Sequence, residues 1–497
     1  MLQNQKGSVL IVNSTSSSAD TRTTRPRIAI VGAGYVGMYV AHQLQRKLSR
    51  NVAEITVIDP ESYMTYQPFL PETAAGNLEP RHVVVSLRRL LRRCELINAR
   101  VTAVDHAHRK LYFTSLAGEQ RELNYHILVV CPGSIVRTLP IPGLAECGIG
   151  IKTVGEAVWL RNHVLTQLDI AASTGDPAVR ERALTFIVVG GGYAGVETLA
   201  ELEDLSRNVA SYYTKNRWSK LAPTELRWVL VEATGRILPE VGEQMGRYTV
   251  ELLRKRGIDV RLETRLDSVT DGVAKLSDGS IFPTSTLVWT AGVKASPMLR
   301  DTDLPLDERG RLRADAYLRV SGTTDVWTAG DCAAVPDLTG GEGAYCAPNA
   351  QHAIRQAKHL ASNVAASLRG KKLKHYRHTY AGSVAGLGLH HGVAQIYGVK
   401  LSGFPAWLLH RTYHLAKMPT FNRKVRIMLD WTIGLFFKRD IVALGEIHEP
   451  RQEFLRATAE SPQSVAALEP LEFAEPARSP FPEPTLAVTE PATPSKR

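Results

Sequence analysis

Cysteine is scarce and shows no pattern. Five cysteines, Cys94, Cys131, Cys147, Cys332 and Cys346, are scattered over 497 residues with no CxxC, CxxxxC or Cys/His ligand spacing. That argues against a local dithiol redox centre, a zinc site and a disulfide scaffold, and it fits a reducing compartment. Long hydrophobic runs are missing too. No uncharged apolar stretch reaches the roughly 18 residues that a membrane span needs. The apolar run Val9–Val12 near the amino terminus is flanked by polar residues and is too short for a secretory signal. The chain is expected to lie on a membrane at most. Aromatic residues make up 7%, and the net charge of +11 comes with no helix-turn-helix, zinc-finger or aromatic RNA-binding motif. Nucleic acid is therefore not the expected partner, which leaves anionic ligands or an anionic membrane surface.

What is present is a 44% hydrophobic chain with short, continuous apolar runs. They fall at Ile28–Val31, Ile55–Ile58, Ile127–Val130, Phe186–Val189 and Trp228–Val231. Continuous apolarity marks strands buried on both faces, and helical patterns lie between the runs, so the expected fold is α/β and doubly wound. The unit strand, glycine turn, helix, strand, acid occurs twice. Gly32, Gly34 and Gly37 form a GxGxxG directly after the first strand, and Asp59 ends the next strand. Gly190, Gly192 and Gly195 repeat the construction, and Glu232 ends the strand that follows a polar insertion over 206–225. Glycines at these positions allow a tight turn, close approach to a pyrophosphate and close packing of helix on strand. The helix N-terminus adds free N–H groups for the phosphates. A carboxylate at the strand end accepts from a ribose diol. At Glu232 it repels a 2′-phosphate, which favours NADH over NADPH, although Arg236 nearby is of a type that accommodates that phosphate.

The late segment Thr328-Ala-Gly-Asp331 makes the pattern more specific. Two dinucleotide turns followed by this motif resemble the flavoproteins with two dinucleotide-binding domains. The resemblance implies FAD at the first turn, with Asp331 on its ribityl chain, and NADH at the second. Val129–Gly133 and Trp289–Gly292 resemble the crossovers between the two domains. Residues 63–76, the stretch Val231–Pro239 and the helix at Ala350-Gln351-His-Ala353-Ile-Arg355-Gln356 resemble type II NADH:quinone oxidoreductases more narrowly. One departure stands out. The family's helix carries AQxAxQ, whereas here Arg355 holds the position of the second Gln and Gln356 follows it. Residues 351 and 355 share a helix face and 356 is rotated away. This leaves the acceptor open.

The expected organisation is an amino-terminal tail (1–25), a first part of the FAD domain (26–150), an inserted NADH domain (151–295), a second part of the FAD domain (296–370), a carboxyl-terminal membrane-associating region (371–450) and a disordered tail (451–497). From Pro450 onward the chain holds nine of its 27 prolines. Between Arg411 and Arg439 seven basic residues, Lys438 among them, face one acid, Asp430, beside a largely apolar stretch from Val425 to Phe437. Basic residues beside aliphatic and aromatic ones suit a helix in the membrane interface; a homodimer interface or domain core is the alternative. The resemblance implies a peripheral enzyme on the cytoplasmic face of the cell membrane. It would pass hydride from NADH to FAD and two electrons on to a quinone, without proton pumping. Glu197, Gln351 and Arg355 are the candidates around the chemistry. Glu197 is otherwise read as a carboxylate stabilised by the helix dipole. Rival activities are a sulfide:quinone oxidoreductase using Cys346, a ferredoxin-type carrier reductase and a non-catalytic NADH-sensing flavoprotein.

Overall fold

The computed structural model describes residues 25–214, 221–341, 343–378, 382–437 and 439–444. The amino-terminal tail apart from Arg25, the 451–497 tail, Lys438 and residues 215–220 of the polar insertion lie outside the described residues. One mixed and one parallel sheet form the frame. The first runs, in spatial order, Val326–Thr328, Ile127–Val130, Arg27–Val31, Glu54–Asp59, Glu95–Asp105, Lys110–Ser115, Gln120–Asn124. Its first five strands are parallel and the last two join in antiparallel fashion. The strand Val326–Thr328 comes from far down the chain, so this domain is discontinuous.

The second sheet runs Gly148–Ile149, Thr286–Trp289, Thr185–Val189, Arg227–Val231, Asp259–Arg261, all parallel. Its edge strand Gly148–Ile149 begins just ahead of residue 151. The apolar runs form the central strands: Ile28, Ile30, Phe186, Ile187 and Val188 are inaccessible to solvent. Burying each such side chain contributes about 1.5–3 kcal/mol. Where the domains join, Ser134–Val136 pairs antiparallel with Val293–Ala295, directly after the two crossover motifs.

Three helices place the site. Tyr35–Lys47 follows the first glycine turn and Tyr193–Tyr213 follows the second. Ala350–Ser367 packs along the first of these. It starts at Asn349, whose side chain accepts from His352 N at 2.9 Å, a Ser/Asp/Asn-type cap that satisfies one free helical N–H. Region 371–450 opens on an antiparallel sheet of Gly382–Gly386, Gly392–Ile396 and Val399–Ser402, which the sequence pattern did not reveal. The helices Phe404–Lys417 and Phe421–Phe436 follow.

Candidate functional site

Each glycine turn is closed by the acid at the end of the neighbouring strand. Ala33 N donates to Asp59 Oδ2 at 2.5 Å, and Glu61 N donates to Oδ1 at 2.8 Å. In the second turn Gly191 N donates to Glu232 Oε2 at 2.6 Å, while Thr234 donates to Oε1 through N and Oγ1, both at 2.8 Å. Burial pushes the Asp59 carboxyl up from its ordinary range, against the pull of its two backbone donors.

The close-packing glycines are steric necessities. A Cβ at Gly37 would stand 1.8 Å from Gly32 O, and one at Gly195 would stand 1.9 Å from Gly190 O. At Gly34 and Gly192 the same test meets nothing within 4 Å, so the turn is open on the side where a pyrophosphate approaches. These cradles fit two dinucleotides. Arg236 is turned elsewhere: its Nη2 donates to the carbonyls of Pro239 and Val241, both at 2.8 Å. The arginine that argued for a 2′-phosphate is thus engaged by its own loop.

The late motif lies against the first turn. Asp331 Oδ2 accepts from Ser134 Oγ at 2.7 Å, and Ser134 Oγ accepts from Lys152 Nζ at 2.7 Å. Burial lowers the Lys152 pKa, opposed by the charges of Asp331 and Glu156. Gln67, from the stretch resembling the family loop, donates to Lys152 O at 3.2 Å. This half-buried group of Asp331, Ser134, Lys152 and Gln67 offers polar contacts for the middle of an extended cofactor.

The helix Ala350–Ser367 explains the departure in its motif. Gln356 is buried, and its Oε1 accepts from Gly330 N at 2.7 Å. It braces the Ala-Gly-Asp turn and does not face the same side as Gln351. Gln351 Nε2 donates to Gly382 O at 3.1 Å. Arg355 Nη1 lies 3.0 Å from His378 Nε2 and closer still to Nδ1 of the same ring. Gln351 and Arg355 thus line one face, toward the small antiparallel sheet.

Glu197 is bonded to the same sheet. It is buried, its Oε1 accepts from Gly386 N at 2.9 Å, and His410 Nε2 lies 3.1 Å from the same oxygen. The helix-dipole reading is thereby too weak for this residue. Burial alone would lower the His410 pKa, but the Glu197 bond and the charges of Glu197, Glu72 and Glu201 more than offset it, so the pKa is raised. One helical turn along from Glu197, Glu201 accepts from Asn77 Nδ2 at 2.7 Å, and burial followed by the charge of Glu72 pushes it up to about 7. Glu72 Oε2 accepts from Arg411 Nη2 and from Trp431 Nε1, both at 2.9 Å.

Sequence reasoning missed Glu72, Glu201 and His410. The i, i+4 spacing of Glu197 and Glu201 was a usable signal, since it places both on one helix face; His410 had none. Cys346 is buried and its thiol is pushed up to about 11, chiefly by burial. A thiol so placed is poorly suited to the nucleophilic role that sulfide oxidation requires.

Comparison with known proteins fits this geometry. The family model described as pyridine nucleotide-disulphide oxidoreductase matches residues 26–357. The type II NADH:quinone oxidoreductase Ndh of Mycobacterium tuberculosis is 30% identical over 84% of this chain and 89% of its own length. The demethylphylloquinone reductase NdbB of Synechocystis is 28% identical over 82% of this chain and 96% of its own. In fold, the chain is similar to the structure of NDH2 from Plasmodium falciparum in complex with NADH. The TM-score is 0.75 at 18% identity, covering 84% of this chain and all of that one. The class is that of the two-domain pyridine nucleotide oxidoreductases. Within it, the chain belongs to the type II NADH:quinone oxidoreductase family.

Proposed function

We propose that the protein is an FAD-dependent NADH:quinone oxidoreductase that does not pump protons and works docked on a membrane surface. The observation that carries this reading is the pair of carboxylate-closed glycine turns, and Asp331 beside Ser134 and the bonds of Glu197 and Gln351 to the strand Gly382–Gly386 support it. Asp59, the first turn and Asp331 hold FAD; Glu232 and the second turn hold NADH. FAD, when bound, supplies the group that takes hydride from NADH and returns two electrons to the acceptor. The protein's share is orientation, exclusion of water and the handling of protons. Glu232 orients NADH by its ribose and disfavours a 2′-phosphate. His410, its pKa raised beside Glu197, holds a proton next to the sheet that Gln351 touches, where the quinone's oxygens need one. Relatives named as quinone reductases support quinone as the acceptor.

The membrane is contacted by the helix Phe421–Phe436. Among the described residues no helix is long and apolar enough to cross a bilayer. Ile427 and Trp431 hold the helix to the body, yet Phe421 is 81% exposed and Leu435, Phe436 and Phe437 are about as open. Lys424 and Arg426 lie on this helix, and Lys417 ends the helix before it. Cations beside exposed aromatics match an anionic lipid surface better than a second copy, whose like charges would repel. The site then faces the cytoplasmic leaflet of the cell membrane.

The test is NADH oxidation by the flavin-loaded protein on anionic vesicles, with and without a soluble quinone and with NADPH for comparison. Quinone-dependent oxidation that strongly prefers NADH is the expected result. Flavin bleaching that quinone fails to reverse would overturn the acceptor. Cosedimentation with anionic vesicles that survives Phe421→Ser together with Phe436→Ser, or a dimer in solution that those changes dissolve, would overturn the docking mode.

A further inference from the structure

The helix Phe421–Phe436 is fastened along one side to residues 79–84 of the first domain. Asp430 Oδ2 lies 2.6 Å from His82 Nδ1 and accepts from Glu79 N at 3.3 Å. Arg426 Nη1 lies 3.4 Å from the other ring nitrogen of His82, and Arg423 Nε donates to Val84 O at 2.7 Å. Directly after the strand Val84–Ser86 comes the short helix Leu87–Leu90, which carries Arg89. The fold thereby sets Arg89 of the first domain near Arg423 and Arg426 of the late helix. Burial, then the charges of Arg426 and Arg89, lower the Arg423 pKa.

No carboxylate neutralises this cluster. Among the described residues Arg89, Arg423 and Arg426 form no ion pair, and Arg89 makes no hydrogen bond either. Asp430, the one acid of the late helix, is turned to His82, and Lys424 is engaged by Ala416 O at 2.8 Å. Arg89 and Arg426 are exposed, and Arg423 is half-buried. At helical spacing Arg426 shares a stripe with Leu429 and Ile433, which are 50% and 55% exposed. The guanidinium cluster therefore borders the apolar edge. In that arrangement an arginine stem lies along acyl chains while its head meets the headgroups.

We propose that Arg89, Arg423 and Arg426 form a contact site for the phosphate groups of anionic phospholipids, so that the first domain itself rests on the membrane beside the late helix. This rests on the docking proposed above and extends it to an element outside the carboxyl-terminal region. Guanidinium forks match phosphate oxygens in pairs. A lipid surface satisfies the cations and the neighbouring apolar edge together, which a soluble polyanion does not. A single interfacial helix also leaves the molecule free to roll about the helix axis. A second contact on a different element removes that freedom and fixes the height of the site above the lipid.

The test is cosedimentation of the flavin-loaded full-length protein with phosphatidylcholine vesicles, with and without phosphatidylglycerol. Arg89→Gln should weaken binding to the phosphatidylglycerol vesicles about fivefold, the share of one arginine at an anionic surface. Binding to phosphatidylcholine alone should not change, and Arg89→Lys should restore most of the loss. The loss should shrink as salt is raised. Arg121→Gln lowers the net charge equally, from the far edge strand of the first sheet. It should change binding by less than about twofold, because charges beyond a screening length contribute little. Equal losses for Arg89→Gln and Arg121→Gln would overturn the proposal. So would unchanged binding of Arg89→Gln where Phe421→Ser with Phe436→Ser abolishes it, a result that leaves the docking helix standing. If the unaltered protein sediments with neither vesicle, the docking fails and this contact with it.

Discussion

Glu197→Gln removes the negative partner of a buried histidine and nothing else of comparable size. The two groups are 3.1 Å apart, with side chains 5% and 10% exposed. Unit charges at that distance attract by on the order of 5 kcal/mol at an effective dielectric near 20. Burial of both groups takes back a share, and losing one partner of such a pair typically costs about 3–5 kcal/mol. At about 2–4 °C per kcal/mol for a domain-sized unit, the unfolding midpoint should drop by about 10 °C. His410 has a pKa raised in the folded state. Its contribution is therefore complete below the unfolded histidine value of about 6.5 and is lost as pH rises through the raised folded value. The deficit of Glu197→Gln should be largest at pH 6 and below and should shrink toward alkaline pH. Glu197→Gln combined with His410→Gln leaves no unpaired charge, so the double variant should recover much of the loss. Thermal unfolding followed by circular dichroism from pH 5.5 to 10 measures the unaltered protein, Glu197→Gln, His410→Gln and the double variant. A deficit that is the same across that range, or two losses that simply add, would refute the pairing.

The remaining expectations follow from contacts of similar clarity. Gly37→Ala places a methyl group 1.8 Å from a backbone oxygen, so the purified protein should retain little flavin, read from its absorbance ratio at 450 and 280 nm, wavelengths chosen at about the flavin and protein maxima. Glu232→Gln leaves the donors of Gly191 and Thr234 facing a neutral amide, which should raise KM for NADH about tenfold while narrowing the preference over NADPH. Gln356→Ala strips Gly330 N of its acceptor, and a buried unpaired N–H costs about 1–3 kcal/mol. Flavin should then dissociate more readily on dilution, with NADH affinity unchanged.

The parts of this molecule written as local patterns were legible from the sequence. Buried parallel strands announce themselves as continuous apolar runs, and a turn in which a Cβ would stand within 2 Å of a backbone oxygen tolerates only glycine. That close approach explains Gly37 and Gly195, while Gly34 and Gly192 leave their turns open, and Asp59 and Glu232 close the two turns from the strand ends. Helical phase also held good for the late helix, where Arg355 shares the face of Gln351 and Gln356 turns inward. The parts that depend on distant segments meeting were not legible. The strands Gly382–Gly386 and Gly392–Ile396 are short and rich in glycine and alanine, so they carry no period-2 signal. His410 looks like any polar residue on an amphipathic helix until the fold brings it to Glu197.

Glu72 shows what such meetings can do that a motif cannot. It belongs to the short helix Leu70–Ala74, yet both of its donors come from the last two described helices: Arg411 from Phe404–Lys417 and Trp431 from Phe421–Phe436. The same Trp431 lies edge-on to Phe69, 5.8 Å between centroids, and the guanidinium of Arg411 lies 4.2 Å from the Trp407 ring centroid and 4.8 Å from that of Trp431. One buried carboxylate therefore fastens the proposed membrane helix to the body of the site and adds its charge to the burial that pushes Glu201 up to about 7. Pulling the helix outward would strip Glu72 of a donor and alter the field on Glu201 and His410 together. In the proposed docking, a surface that holds the helix in place would also hold in place the charge that acts on Glu201 and His410.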